Sequence, residues 1–280
     1  MIIHLKKRLI AITACIAIIL SVTVAATQSA PEYINMPVVL YHHLSNRQSD
    51  LGPYVIAPQQ FETDIEYILS KGYTPITTNQ LIQYVTGNGK LPKKPIMITF
   101  DDGHESFYAY AFDMLKKKKI PAVLSVVGKY TDFYSENIDY NVNYANVTWE
   151  QIAEMSKSGF VEIGNHTYDL HALSPRKGCK KLQSESDSDY RKLLIEDVSK
   201  TQQKIKEYTG SECKIFTYPF GAYSSQTTEI VREMGFTVTF GCYEKVNKIT
   251  KGDLSCLKMV KRYNRANGKT SYEFFKNILE

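Results

Sequence analysis

Cysteine is scarce in this chain and badly spaced for holding a metal. Five occur in 280 residues, none as a CxxC pair, which argues against a metal site built from cysteine alone. An excess of one charge is also missing. The formal net charge is only +5 and the basic residues are scattered, apart from residues 116–119. That lysine run reads as a solvated helix end, so no nucleic-acid partner is indicated. No internal repeat is visible, and beyond residue 26 no apolar run is long enough to span a bilayer.

What is present begins with a basic flank, Lys6, Lys7 and Arg8, followed by an apolar stretch to residue 26 with small residues Val24 and Ala26 near its end. This is the pattern of a secretory signal peptide, or of a membrane anchor if it is not cleaved. The chain is therefore expected to be exported, ending up extracellular, wall-associated or held to a membrane through this segment alone. In such a compartment Cys179, Cys213, Cys242 and Cys256 could form two disulfides. Residues 27–35 read as a polar tether. What remains, about 250 residues, is enough for one α/β barrel or two small domains; a single domain over residues 36–280, acting as a monomer, is expected.

The domain is organised around residues 94–103, KPIMITFDDG. A near-continuous apolar run there suits a strand buried on both faces of a parallel sheet. It stops abruptly at Asp101, Asp102 and Gly103. Taken alone, Asp-Asp-Gly is also ordinary turn chemistry. Other expected strands are residues 36–41, 121–128, 160–164, 214–218, 237–241 and 257–260. Helical spacing appears in residues 58–72, 78–85, 105–119, 148–157, 191–208, 225–234 and 271–279, with Thr148 as an N-cap and Gly210 as a stop. Residues 129–147 read as a loop rich in Tyr and Asn, whose rings could stack on sugars or simply pack. Residues 174–190, polar and charged, read as an exposed excursion.

This alternation of strand and helix implies a parallel sheet or barrel with right-handed crossovers. Active sites in such folds gather at the C-terminal ends of strands. Four expected strands end there in chemically capable groups: His42 and His43, Asp101 and Asp102, His166, and the turn Pro219-Phe220-Gly221. His166 and His171 would diverge by roughly 140° on a continuous helix, so they can share an ion only across a bend. With Asp102 they make a two-histidine, one-carboxylate set that leaves positions open for water and substrate. Asp102, His166 and His171 are therefore the expected ligands of a divalent metal, Zn2+ first, with Co2+ or Ni2+ as alternatives.

Thr99-Phe-Asp-Asp-Gly103, the His-Thr-x-x-x-His run of residues 166–171 and Tyr218-Pro-Phe-Gly221 resemble the first three motifs of the polysaccharide deacetylases, the NodB-homology carbohydrate esterases. The spacing is most similar to the exported poly-N-acetylglucosamine deacetylases, and the likeness runs from about residue 36 to 276. It implies a distorted (β/α) barrel of about seven strands and metal-dependent removal of acetyl groups from amino sugars in a cell-envelope or extracellular glycan. It further implies that Asp101 is the general base, that Pro219 and Phe220 form a groove wall, and that the Phe220 N–H helps hold an oxyanion.

Two features depart from the pattern. Thr217 stands where many members carry an Arg, and no His follows His171 to serve as general acid. The N-terminal strand supplies an acid candidate in His42, with His43 second, while His104 reads as peripheral. Arg262 and Arg265 are candidates to replace the missing Arg by orienting Asp101. Two other functions remain open: an O-acetyl esterase of xylan type on the same metal site, and a glycan-binding protein that has lost catalysis.

Overall fold

Six of the short apolar runs become parallel strands of one curled sheet, and a seventh strand follows the last run. The computed structural model describes residues 33–279; the expected leader and most of the tether, residues 1–32, lie outside the described residues. The strands are β1 (Val38–Tyr41), β2 (Pro95–Phe100), β3 (Ala122–Val126), β4 (Val161–Asn165), β5 (Ile215–Thr217), β6 (Val238–Phe240) and β7 (Tyr263–Asn264). Their order across the sheet is β6-β5-β4-β3-β2-β1-β7, and every neighbouring pair is parallel. A further two-residue strand, Thr74–Pro75, pairs with the start of β2. All six residues of β2 and all four of β1 are buried, as expected of strands covered on both faces.

Helices cover the outside: α1 (Pro58–Ser70), α2 (Thr78–Val85), α3 (Asp113–Lys118), α4 (Gly128–Glu136), α5 (Trp149–Lys157), α6 (Asp187–Thr209), α7 (Ser225–Glu233) and α8 (Ser271–Phe275). Reciprocal caps start four of them, among these Thr77 with Gln80 on α2 and Thr148 with Gln151 on α5, satisfying N–H groups that have no partner inside the helix. Gly210 ends α6 in the left-handed conformation, which costs glycine no steric strain.

The last crossing departs from expectation. Residues 257–260 were expected to be the closing strand; instead Val260 makes only an isolated bridge to Phe240 of β6, and the ladder to β1 is formed three residues later by Tyr263 and Asn264. A single segment thus touches both edges of the curled sheet. Arg262, between its two contacts, is buried inside the barrel mouth.

Three further expectations need correction. Gly128 to Glu136 is a helix, α4, where a loop was expected, because its anchorage comes from contacts to a neighbouring loop rather than from an apolar stripe. The helix expected over residues 105–119 opens with a π-helical stretch, Phe107–Phe112, before α3. The excursion of residues 174–190 is not wholly exposed: Arg176, Cys179 and Tyr190 are buried, Arg176 pairs with Glu185, and Tyr190 donates to the Cys179 carbonyl at 2.6 Å. Cys179, Cys213, Cys242 and Cys256 are free thiols, so the two disulfides they could have made are not formed.

A buried ion pair ties the C-terminal segment to α1. Arg265 Nε lies 2.7 Å from Asp64 Oδ2, and both side chains are fully buried. Asp64 also accepts from Ser271, Gln60 and Tyr41. Removing one partner of such a network strands a charge away from water. Asp64→Ala is expected to cost about 3–5 kcal/mol of folding stability in urea titration. Lys192→Ala, which breaks an exposed pair of 3.9 Å, should change stability by less than about 0.5 kcal/mol.

Candidate active site

The strand ends meet at one cavity of about 450 Å³, whose lining includes His42, Asp101, Asp102, His166, His171, Phe220 and Arg262. Asp101 continues β2, whereas Asp102 turns away at φ +72, so neighbouring carboxylates face different partners. Left-handed φ in a non-glycine residue is tolerated by Asp but costs of order 1 kcal/mol. Asn146 helps hold it, donating to the Asp102 carbonyl at 2.7 Å.

His166 closes β4, and the chain then steps through Thr167 at φ +71. This is the bend the two-histidine reading requires. The Asn165 side chain accepts from Thr167 N at 2.8 Å, and one carboxylate on α6, Asp197, accepts from the backbone N–H groups of Tyr168 and Asp169 at 2.8 Å each. The turn is therefore fixed by two side chains, and it returns His171 beside His166 with ring centres 5.0 Å apart.

Asp102 Oδ1 lies 3.4 Å from His166 Nε2 and 3.1 Å from His171 Nε2, and the three donor atoms all fall within 4.8 Å of one another. Donors about 2.1 Å from a common ion, at tetrahedral or octahedral angles, stand roughly 3.0–3.4 Å apart, so both distances to Asp102 suit a shared divalent ion. The chemistry of the donors agrees. His166 Nδ1 sits 2.8 Å from the Thr217 carbonyl, which can only accept, so Nδ1 carries the proton and Nε2 of the neutral ring offers a lone pair. That lone pair faces a carboxylate, an arrangement that calls for a cation between them. Burial disfavours the charged imidazole, yet the hydrogen bond it can donate to Asp102 and the charges of both carboxylates outweigh this and raise its pKa.

Asp101 is held differently. Arg262 Nη1 and Nη2 donate to its two oxygens at 2.7 Å each, and Arg262 Nε donates to the Gly241 carbonyl at 2.9 Å. Burial alone would push the Asp101 carboxyl up; Arg262, with His166 and His42, reverses this and holds it below the usual carboxylate range. Arg265, the other candidate for this role, pairs with Asp64 instead.

Alternation along the chain separates the two adjacent histidines. His42 lines the cavity with its ring centre 4.9 Å from that of Tyr54, and its Nδ1 is buried with no hydrogen-bond partner among the described residues. Burial pulls its pKa below the ordinary value, against the pull of Asp101 and Asp102. His43, the second acid candidate, is not part of the cavity lining: Nδ1 meets Ser106 Oγ at 3.0 Å and the ring packs on His104. Burial, then the nearby His104, bring its pKa down to about 4.

Pro219 and Phe220 form a tight turn after β5, with Phe220 at φ +58 and its ring 4.6 Å from that of His171. His104, read from sequence as peripheral, places Nε2 3.6 Å from Asp102 Oδ2. Sequence reasoning also passed over Asn165 and Asp197. Asn165 carries a signal, an Asn directly before a strand-end His and able to fix the next turn; Asp197 carries none, being one acid in a charged helix.

A family profile described as polysaccharide deacetylase matches residues 88–239. A Staphylococcus aureus protein (strain N315) named poly-beta-1,6-N-acetyl-D-glucosamine N-deacetylase is 29% identical over 196 residues, 70% of this chain. The match spans 64% of that relative, just under two thirds of its length. Among solved structures, a de-N-acetylase from Aggregatibacter actinomycetemcomitans aligns with a TM-score of 0.73 and 26% identity, covering 87% of this chain and 99% of the other. IcaB from Ammonifex degensii aligns with a TM-score of 0.69 and 29% identity over 84% and 93% of the two chains.

Calorimetric titration of the metal-free protein with Zn2+ tests the ligand set. Asp102→Ala and His166→Ala should abolish stoichiometric binding. His104→Ala, which removes only the neighbour of a ligand, should weaken it roughly tenfold; unchanged affinity in the first two variants would contradict the assignment.

Proposed function

Because the chain belongs to the polysaccharide deacetylase family, we propose that it is an exported, metal-dependent enzyme that hydrolyses N-acetyl groups of poly-β-1,6-N-acetyl-D-glucosamine and releases acetate. The observation that carries this reading is the meeting, in one cavity, of the Asp102, His166 and His171 donors with an arginine-clamped Asp101 and an uncommitted His42. The polymer and the N-acetyl chemistry are taken from what the similar S. aureus protein and the A. actinomycetemcomitans structure are named for. Export rests on residues 1–26.

In this proposal Asp102, His166 and His171 hold the divalent ion, Zn2+ first. Bound there, the ion would supply Lewis acidity that makes water nucleophilic near neutral pH and polarises the acetyl carbonyl. Asp101 takes the proton from the attacking water. Its low pKa keeps it ionised and ready to accept, and the Arg262 fork fixes the direction in which its lone pairs point. The Phe220 N–H donates to the oxygen that gains charge as the carbonyl carbon becomes tetrahedral.

His42 then protonates the departing nitrogen. An amine leaves poorly unless protonated, whereas an alkoxide needs less help, so an acid in this position favours amide over ester substrates. The unpartnered Nδ1 of His42 supports this role over that of a brace, because a bracing histidine is held by a hydrogen bond. Arg262 supports an active enzyme over an inactive glycan-binding protein, since it occupies the role left open by Thr217.

Acetate release from β-1,6-linked N-acetylglucosamine oligomers tests the proposal. Asp101→Asn should retain bound metal but lose roughly 10²–10⁴-fold in kcat; near-normal turnover would overturn the base assignment. His42→Ala should lose far more activity on these oligomers than on acetylated xylan, and equal losses would remove it as the acid.

A further inference from the structure

Among the side chains that line the cavity, one charge has no counterpart. Asp101 is neutralised by Arg262, and Asp102 faces the two histidines of the proposed ion site. Lys177 lines the same cavity. It belongs to no ion pair among the described residues, whereas its neighbours Arg176 and Lys181 pair with Glu185 and Asp187. No step of the proposed reaction uses it.

The backbone that carries Lys177 is fixed against the turn of Pro219 and Phe220. Gly178 adopts φ +52, and a Cβ there would lie 2.5 Å from the Pro219 carbonyl oxygen, so the chain passes this close only as glycine. Gly178 N donates to the Ala172 carbonyl at 2.9 Å, and Lys180 N to the Lys177 carbonyl at 3.1 Å. The buried Arg176 donates to the Lys180 carbonyl at 2.7 Å, and Lys181 N donates to Ser224 Oγ at 3.0 Å, where α7 begins. These contacts hold the loop while Lys177 itself stays exposed. The result is a point charge on a flexible stem, beside the turn whose Phe220 N–H is the proposed oxyanion donor.

Removing an acetyl group changes the charge of the polymer. An acetamido group is neutral, whereas the amine left behind takes up a proton below its pKa, which for an ordinary α-amino group is about 7.7–8.0. Each turnover therefore adds a positive charge to a chain that began without one. An uncompensated cation on the wall of the cavity repels that charge and is indifferent to the acetylated unit. We infer that Lys177 is a specificity determinant that repels units already converted. It directs the protein to stretches that are still acetylated, so that glucosamine units come to lie apart along the polymer rather than in runs. This rests on the reaction and the substrate class proposed above.

The fully deacetylated β-1,6-linked glucosamine tetramer, which has no acetyl group to lose, probes this without turnover. Calorimetry on the Zn2+-loaded protein at about pH 6, where such amines are charged, compares the native chain with Lys177 variants. Lys177→Met should bind the tetramer roughly fivefold more tightly than the native chain, Lys177→Glu more tightly still, and Lys177→Arg no differently. Near 1 M salt, where the screening length is about 3 Å, these differences should vanish. Thermal melting confirms that each variant is folded. Mass spectrometry after limited reaction of acetylated oligomers reads the same property: the native chain should leave glucosamine units separated, and Lys177→Met should produce adjacent pairs. Equal affinity of the native chain, Lys177→Met and Lys177→Glu for the tetramer, or no binding by any of them, overturns the inference whatever the rate of acetate release. An unchanged product pattern in Lys177→Met overturns it as well. If the charge series holds while the native chain releases no acetate, the reaction reading fails and the repulsion by Lys177 stands.

Discussion

Arg262 and Asp101 form a buried ion pair with two parallel hydrogen bonds of 2.7 Å, and the arrangement of the mouth of the barrel depends on it. Burying two charges is expensive, and a buried pair is often no more stabilising than well-packed apolar residues of the same volume. Its value lies in direction: a planar fork holds the carboxylate in one orientation. The pair forms because one C-terminal segment touches both edges of the curled sheet, bridging to β6 at Val260 and pairing with β1 at Tyr263. Sheet closure and orientation of the proposed base are thus one structural event.

A second constraint operates where the chain leaves the strands. Asp102, Thr167 and Phe220 all adopt left-handed φ without being glycine, and each belongs to the cavity or to the turn that builds it. Strain of this kind persists when surrounding contacts over-determine the conformation. Asn146, Asn165 and Asp197 supply such contacts for Asp102 and for the turn between the histidines. The Thr217 carbonyl adds another, setting which nitrogen of His166 faces the cavity. Because that contact is made by main chain, residue 217 can be a threonine while its carbonyl still directs the ring.

Much of this was legible in the sequence, and the rest was not for identifiable reasons. The parallel sheet could be read from apolar runs that stop at polar residues; the rule that strand ends converge brought His42, Asp101, Asp102 and His166 together, and the spacing of His171 from His166 added it across a bend. His42 could be favoured over His43 only by motif likeness; in the structure, alternation sends one to the cavity and the other to Ser106. Arg262 and Arg265 were indistinguishable in the run KRYNR, since three residues of register decide which faces Asp101 and which faces Asp64. The helix α4 was missed because its anchors, Gly128 against Thr201 and Lys129 against Asp169, are tertiary contacts rather than a local pattern.

The central claim is that Asp102, His166 and His171, far apart in the chain, hold one cation beside Asp101. Anomalous diffraction from crystals of the Zn2+-loaded protein, recorded on both sides of the zinc edge, tests it most directly. The account predicts a single strong peak about 2.0–2.2 Å from Nε2 of both histidines and from an Asp102 carboxylate oxygen. A peak elsewhere, or one that engages the histidines without Asp102, would contradict it.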